Sequence, residues 1–246
     1  MVTKLTDKSF IETIRFELEK TWSAPYVGLI LMLLILGGPG SAAPMEVKES
    51  AFDIALSSLG SFKTPFLCLI TILTFANSFG RDIEQDVLMG EFTLPVKKEV
   101  LFIIKFLTSF SVILLMDLVS TILSVWIVTA SISLASTLTI ILVDAIVLLL
   151  FTSISILMSM MLRSRFGAVI VAVAIYFFES ILLLNVSLSI STTNPPNLDS
   201  TYILLKLILL RELTVYTWGI ILIHVLLPLT LLVLSYFFMV KVLQLD

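Results

Sequence analysis

The chain has 246 residues, of which 59% are hydrophobic and 13% charged, with a formal net charge of −3. A soluble domain carries about 25% charged residues, so this composition excludes an ordinary water-soluble fold and points to a membrane protein. The sequence pI of about 5.2 leaves no electrostatic footprint for nucleic acid. The single cysteine, Cys68, lies inside an apolar run, where it reads as a small core residue and supports neither a disulfide framework nor a cysteine metal site.

The opening MVTKLTDKSF has neither the short apolar core nor the small-residue cleavage site of a signal peptide. The first apolar run is therefore expected to stay as an anchor, and the length leaves no room for a second domain. Residues 8–22 predict an amphipathic helix. Phe10, Ile11, Ile14, Leu18 and Trp22 recur at three- and four-residue steps, against Lys8, Glu12, Arg15, Glu19 and Lys20. A helix of this kind lies in the membrane interface.

A bilayer span needs about 20 apolar residues. The first is expected over 24–43, with Gly37-Gly38-Pro39-Gly40 loosening its outer end, and the second over 62–80. Residues 81–98 then interrupt the apolar pattern with acids, one proline and Lys97-Lys98. The third span is expected over 101–130, longer than a bilayer requires, so it tilts or projects. A turn at 131–136 leads to a fourth span over 137–162, ending at Arg163-Ser164-Arg165. The fifth follows over 166–190. Asn194-Pro195-Pro196-Asn197 marks a loop, and 202–213 is too short to cross, which fits a re-entrant or interfacial helix. The sixth span covers 215–240. No internal repeat is visible.

Basic residues set the orientation. With the N-terminus inside, 11 of the 15 Lys and Arg residues lie on the inner side and the other 4, Lys48, Lys63, Lys206 and Arg211, on the outer. The expected architecture is an all-α membrane protein with six transmembrane helices, both termini cytoplasmic, in the cell membrane.

Catalytic parts are scarce. There is one histidine, His224, no zinc-protease or serine-hydrolase motif, and no phosphate loop. A rhomboid-like pairing of His224 with a serine is the weakest of the readings, so the chain is expected not to be an enzyme. The ionisable residues within the spans are Asp117, Asp144, Glu179 and His224. An acid at the bilayer centre costs at least about 2.5 kcal/mol, so each should face protein or water. Asp117, Glu179 and His224 fall near mid-depth and are candidates for a translocation path or proton relay, with hydrogen-bonded packing as the alternative. Asp144 lies nearer the outer surface, where packing is favoured. Serines such as Ser153, Ser155 and Ser187 to Ser191 suit close helix packing.

Between the second and third spans the chain resembles permeases of the ABC-2 type. In that family an acidic stretch leads into an amphipathic helix, then Pro-Val with basic residues, then a lysine about ten residues beyond the proline. Here these are Asp82 and Glu84, Val87-Leu88, Leu94-Pro95-Val96-Lys97-Lys98, and Lys105. Asp86-Val87 stands where the family often has Gly-Thr. The resemblance extends to the interfacial helix, the six-span layout and the short apolar segment before the last span.

The resemblance implies a cytoplasmic coupling helix in 81–98. Val87, Leu88, Met89 and Phe92 would fill a groove on a separate ATP-binding cassette subunit. Asp82, Glu84 and Asp86 would meet its basic rim or favour a helix N-terminus. Pro95 would end the helix, and Lys97 and Lys98 would hold its exit at the anionic leaflet. It also implies a dimer with a second permease copy or a related one, and ATP and Mg held by the partner, with no cofactor in this chain. By the same resemblance Glu179 would lie near the substrate route. The apolar lining suits a lipid, peptide or amphiphilic substrate. A proton- or ion-coupled carrier using the buried acids is the alternative, and an intramembrane enzyme or assembly factor ranks below both.

Overall fold

The computed structural model describes residues 11–19, 64–85, 98–129, 134–190 and 215–242. The expected first span, the segment 86–97 and the short helix 202–213 lie outside them. Among the described residues the chain is all helical, and four helices are long and apolar enough to cross a membrane. We label the elements α1 (11–19), α2 (Thr64–Phe75, continued by a π turn Ala76–Gly80 and by Arg81–Glu84), α3 (Lys98–Thr129), α4 (Leu134–Leu162), α5 (Arg165–Ile190) and α6 (Val215–Phe237, continued by a π turn Phe238–Val242). The four spanning candidates are Pro65–Glu84, Lys98–Ile122, Ile141–Leu162 and Leu222–Val240.

The polar and apolar faces are arranged for lipid. Along α3, Ile103, Leu107, Leu115, Val119 and Ile122 face outward, while Lys105, Thr108, Ser109, Asp117, Ser120 and Thr121 are buried. In water this would leave an apolar exterior around a polar interior. In hydrocarbon it lets each polar group meet protein. At about 1.5 Å per residue, the 32 residues of α3 exceed the roughly 30 Å hydrocarbon core, so the helix tilts or projects.

α4 is the central helix, packed by α2, α3, α5 and α6. Its stretch from Leu150 to Leu157 is buried all round, which a helix achieves only when neighbours cover every face. Small polar residues let them approach. Ser155 Oγ donates to the Ile72 carbonyl of α2 at 2.9 Å, and Ser159 and Ser153 donate to carbonyls one turn back. The Ile72 carbonyl lies just before the π turn, so this bond holds α2 where its backbone pattern changes. Between α2, α3 and α6 sits an aromatic cluster in which Phe75, Phe79, Phe102, Phe106 and Tyr236 approach with ring centroids 5.7–6.4 Å apart. Cys68 is buried in the same core.

Two differences from expectation have local causes. α4 begins at Leu134, so Leu134, Ala135 and Ser136, expected in a turn, are helical; leucine and alanine are strong helix formers. The α4–α5 corner needs only Arg163 and Ser164. Arg163 takes a left-handed φ of 48°, the usual way to stop a helix. Its N–H still reaches the Ser159 carbonyl at 3.1 Å. Ser164 caps α5, its Oγ accepting from the Gly167 N–H at 3.3 Å.

The end of α2 is wedged against this corner. A Cβ on Gly80 would meet the Arg165 Cα at 3.0 Å and Ser159 Oγ at 3.2 Å. Backbone cannot yield as a side chain can, so Gly80→Val should lower stability by about 1–3 kcal/mol. Gly167 is the control: its Cβ would first meet the Leu162 and Ser164 side chains, at 3.2 Å or more, and Gly167→Ala should be near neutral. Unfolding midpoints of the purified variants in one detergent check both outcomes.

Candidate functional site

A cluster of enclosed charges links the helices on either side of residues 86–97. Lys105, two turns into α3, is 0% exposed, and its Nζ reaches two carboxylates. One is Asp82 Oδ2 at the end of α2, in a short direct hydrogen bond. The other is Glu17 Oε1 of α1, at 3.3 Å with its side chain 1% exposed. One ammonium thus joins three helices. An unpaired lysine inside such a bundle would cost several kcal/mol, and the two acids offset that. Because Asp82 and Lys105 stand on either side of 86–97, the pair fastens together the two helices that frame the segment.

α1 is built to deliver Glu17 to this point. Glu17 turns inward, Leu18 packs beside Ile70, Val112 and Met116, and Ile11 and Phe16 face outward. Arg15 pairs with Glu19 at 2.8 Å on the exposed side. The helix therefore exposes Ile11 and Phe16 beside the charged Glu12, Arg15 and Glu19, and turns the acid Glu17 into the protein.

Of the acids expected to face a partner, Asp82 is turned inward onto Lys105 and Glu84 is exposed. Lys98, at the start of α3, is half-buried. Asp86, Val87, Leu88, Met89, Phe92, Pro95 and Lys97 lie outside the described residues.

A second polar contact lies deeper in the bundle. His224 Nε2 and Glu179 Oε1 are 2.8 Å apart, joining α6 to α5, with side chains 4% and 18% exposed. Pro228 sits one turn after His224 inside α6. It lacks an N–H, so the His224 carbonyl loses its usual helical donor, and the helix is loosened next to the pair. Asp117, the third mid-depth candidate, is buried on α3, with Oδ1 accepting from Thr121 Oγ1 at 3.4 Å. Asp144 is buried on α4.

The arrangement ties helices together through polar contacts at two places. The Lys105 cluster joins the end of α2 to α3 and to α1. The Glu179–His224 contact joins α5 to α6. Among the described residues no group of three or more metal-ligating side chains gathers. A scan against protein-family models finds no match, and a search of curated proteins finds none either.

Proposed function

We propose that this chain is the membrane-spanning permease subunit of an ATP-driven exporter, coupled to a separate ATP-binding cassette subunit through residues 81–98. The observation that carries the reading is the buried bridge from Lys105 to Asp82 and Glu17. A surface loop whose partners were only lipid and water would not need its two flanking helices fastened by enclosed charges, whose desolvation costs several kcal/mol per ion. A docking lever would. The resemblance of residues 81–98, with Lys105 beyond them, to a coupling segment supplies the identity of the partner.

On this reading the chain has six spans, with both termini in the cytoplasm of a cell membrane, and works as a dimer with a second copy or a related permease. Glu84, Asp86, Val87, Leu88, Met89 and Phe92 contact the ATPase, while Pro95, Lys97 and Lys98 shape the exit toward α3. Asp82 serves as the inner anchor of the lever. ATP and Mg belong to the partner. Asp117, Glu179 and His224 border the route of a lipid, peptide or amphiphilic substrate. The test is co-expression with an ATP-binding cassette protein from a neighbouring gene. A stable membrane complex with ATPase activity supports the proposal, and a chain that captures no such protein contradicts it.

A proton-coupled carrier is the second reading, favoured by the 2.8 Å contact between Glu179 and His224. It predicts transport by the chain alone in vesicles under a pH gradient, abolished by Glu179→Gln. The exporter reading predicts no such flux without ATP and the partner.

A further inference from the structure

α2 changes its winding just where it meets α3 and the α4–α5 corner. Upstream, Ser155 Oγ holds the Ile72 carbonyl. Between Ala76 and Gly80 the helix takes a π turn, in which the Arg81 N–H donates to the Ala76 carbonyl five residues back. Regular winding then resumes, with the Gln85 N–H on the Arg81 carbonyl, four residues back, at 2.9 Å. A π turn takes one extra residue into the helix. Every residue beyond it therefore sits where its predecessor would sit in an unbroken α-helix.

Two separate contacts select this register. Gly80 faces the α4–α5 corner, where even a Cβ would come 3.0 Å from the Arg165 Cα. Asp82 faces the buried Lys105. If the helix straightened into regular winding, Phe79 would take the place of Gly80, and Arg81 that of Asp82. A phenyl ring would then press on backbone already crowded by one added carbon, and a guanidinium would meet a buried ammonium. One shift of a single residue makes both mismatches, at the corner and at α3. π turns are rare and frequent at functional sites, and this one has a regular alternative only one residue away.

We propose that the π turn is a register switch in α2. With the α4–α5 corner in place, the turn keeps its extra residue and Asp82 holds Lys105. When the corner withdraws, α2 relaxes to a regular helix, Asp82 turns away by about 100°, and the tie from α2 to α3 opens. A packed, bistable element of this kind converts a small displacement at one point into a discrete one at another. The switch belongs to the bundle itself and stands whether or not the chain couples to an ATPase.

The test uses the full chain in lipid discs, with Cys68→Ala removing the native thiol and spin labels on Glu84→Cys of α2 and Ile103→Cys of α3, both exposed positions. A turn of about 100° carries a side-chain tip about 5 Å from the helix axis through about 8 Å, which pulsed spin-label distance measurement resolves. Exchanging the charges, Arg81→Asp with Asp82→Arg, puts a carboxylate on Lys105 only in the relaxed register. The label separation should then shift by several ångströms from that of the labelled parent. Deleting Ala76 removes the extra residue and leaves Gly80 and Asp82 in place in an unbroken helix. The same exchange made there should leave the separation unchanged and lower the unfolding midpoint. Gly80→Val crowds the corner without touching the charges, and it should reach the shifted separation too. The parent's separation in the charge-exchanged chain or in Gly80→Val would overturn the proposal. So would an equal shift in the deletion background, where no change of register is available.

Discussion

Replacing Lys105 with methionine is expected to lower the stability of the purified protein by about 3–5 kcal/mol, the largest single-residue effect foreseen. The stem of the lysine is matched in volume by methionine, so little packing is lost. What remains is Asp82 and Glu17 side by side in an enclosed site, with no ammonium between them. Removing all three charges together, as Glu17→Gln, Asp82→Asn and Lys105→Met, should recover most of the loss, because a neutral cluster no longer needs a counter-ion. Unfolding in a graded series of denaturing detergent measures both. Glu17→Gln alone should be milder, since Asp82 still holds the lysine. If Lys105→Met unfolds at the wild-type midpoint, the cluster is not a structural tie.

His224→Leu is expected to cost about 1–3 kcal/mol, the range for leaving a buried hydrogen-bonding group without its partner. The Glu179 side chain is 18% exposed, which places its effect below that of the fully enclosed Lys105. The double replacement Glu179→Leu with His224→Leu should be close to neutral, and the difference from the sum of single effects gives the coupling between α5 and α6. Additive single effects would mean the two side chains are neighbours without a working bond.

The spanning helices were legible because bilayer insertion writes itself plainly in hydropathy: long apolar runs, with polar residues at helical spacing on one face. α3 is the clearest instance, where Lys105, Ser109 and Asp117 repeat inward. The corner itself was visible as the polar break Arg163-Ser164-Arg165 between two apolar runs, although Arg165 already belongs to α5. The tie from Glu17 to Lys105 was not. Its signal existed, since Glu17 stands three residues after Ile14 and beside Leu18, on the apolar side of α1, and an acid on an apolar stripe calls for a buried partner. Which lysine supplies it depends on how α1 lies against α2 and α3, and that is a matter of tertiary packing. Asp82 illustrates the same limit. Its place in a charged stretch suggests a surface role, and only the rotation of the helix after the π turn decides that it points inward. Glu179 and His224 were each recognisable as intramembrane groups needing a partner, but their 45-residue separation in sequence gave no reason to pair them.

The most direct test of the coupling proposal replaces Val87, Leu88 and Phe92 with aspartate in a reconstituted complex of this chain with the ATP-binding subunit that the proposal assigns to it. Charges in a groove-filling apolar face should detach the ATPase or sever its activity from transport, while the chain itself stays folded and membrane-embedded. We expect loss of co-purification, or ATPase activity that no longer responds to the permease. A triple variant that keeps both the complex and its coupled ATPase activity at wild-type levels would contradict the account.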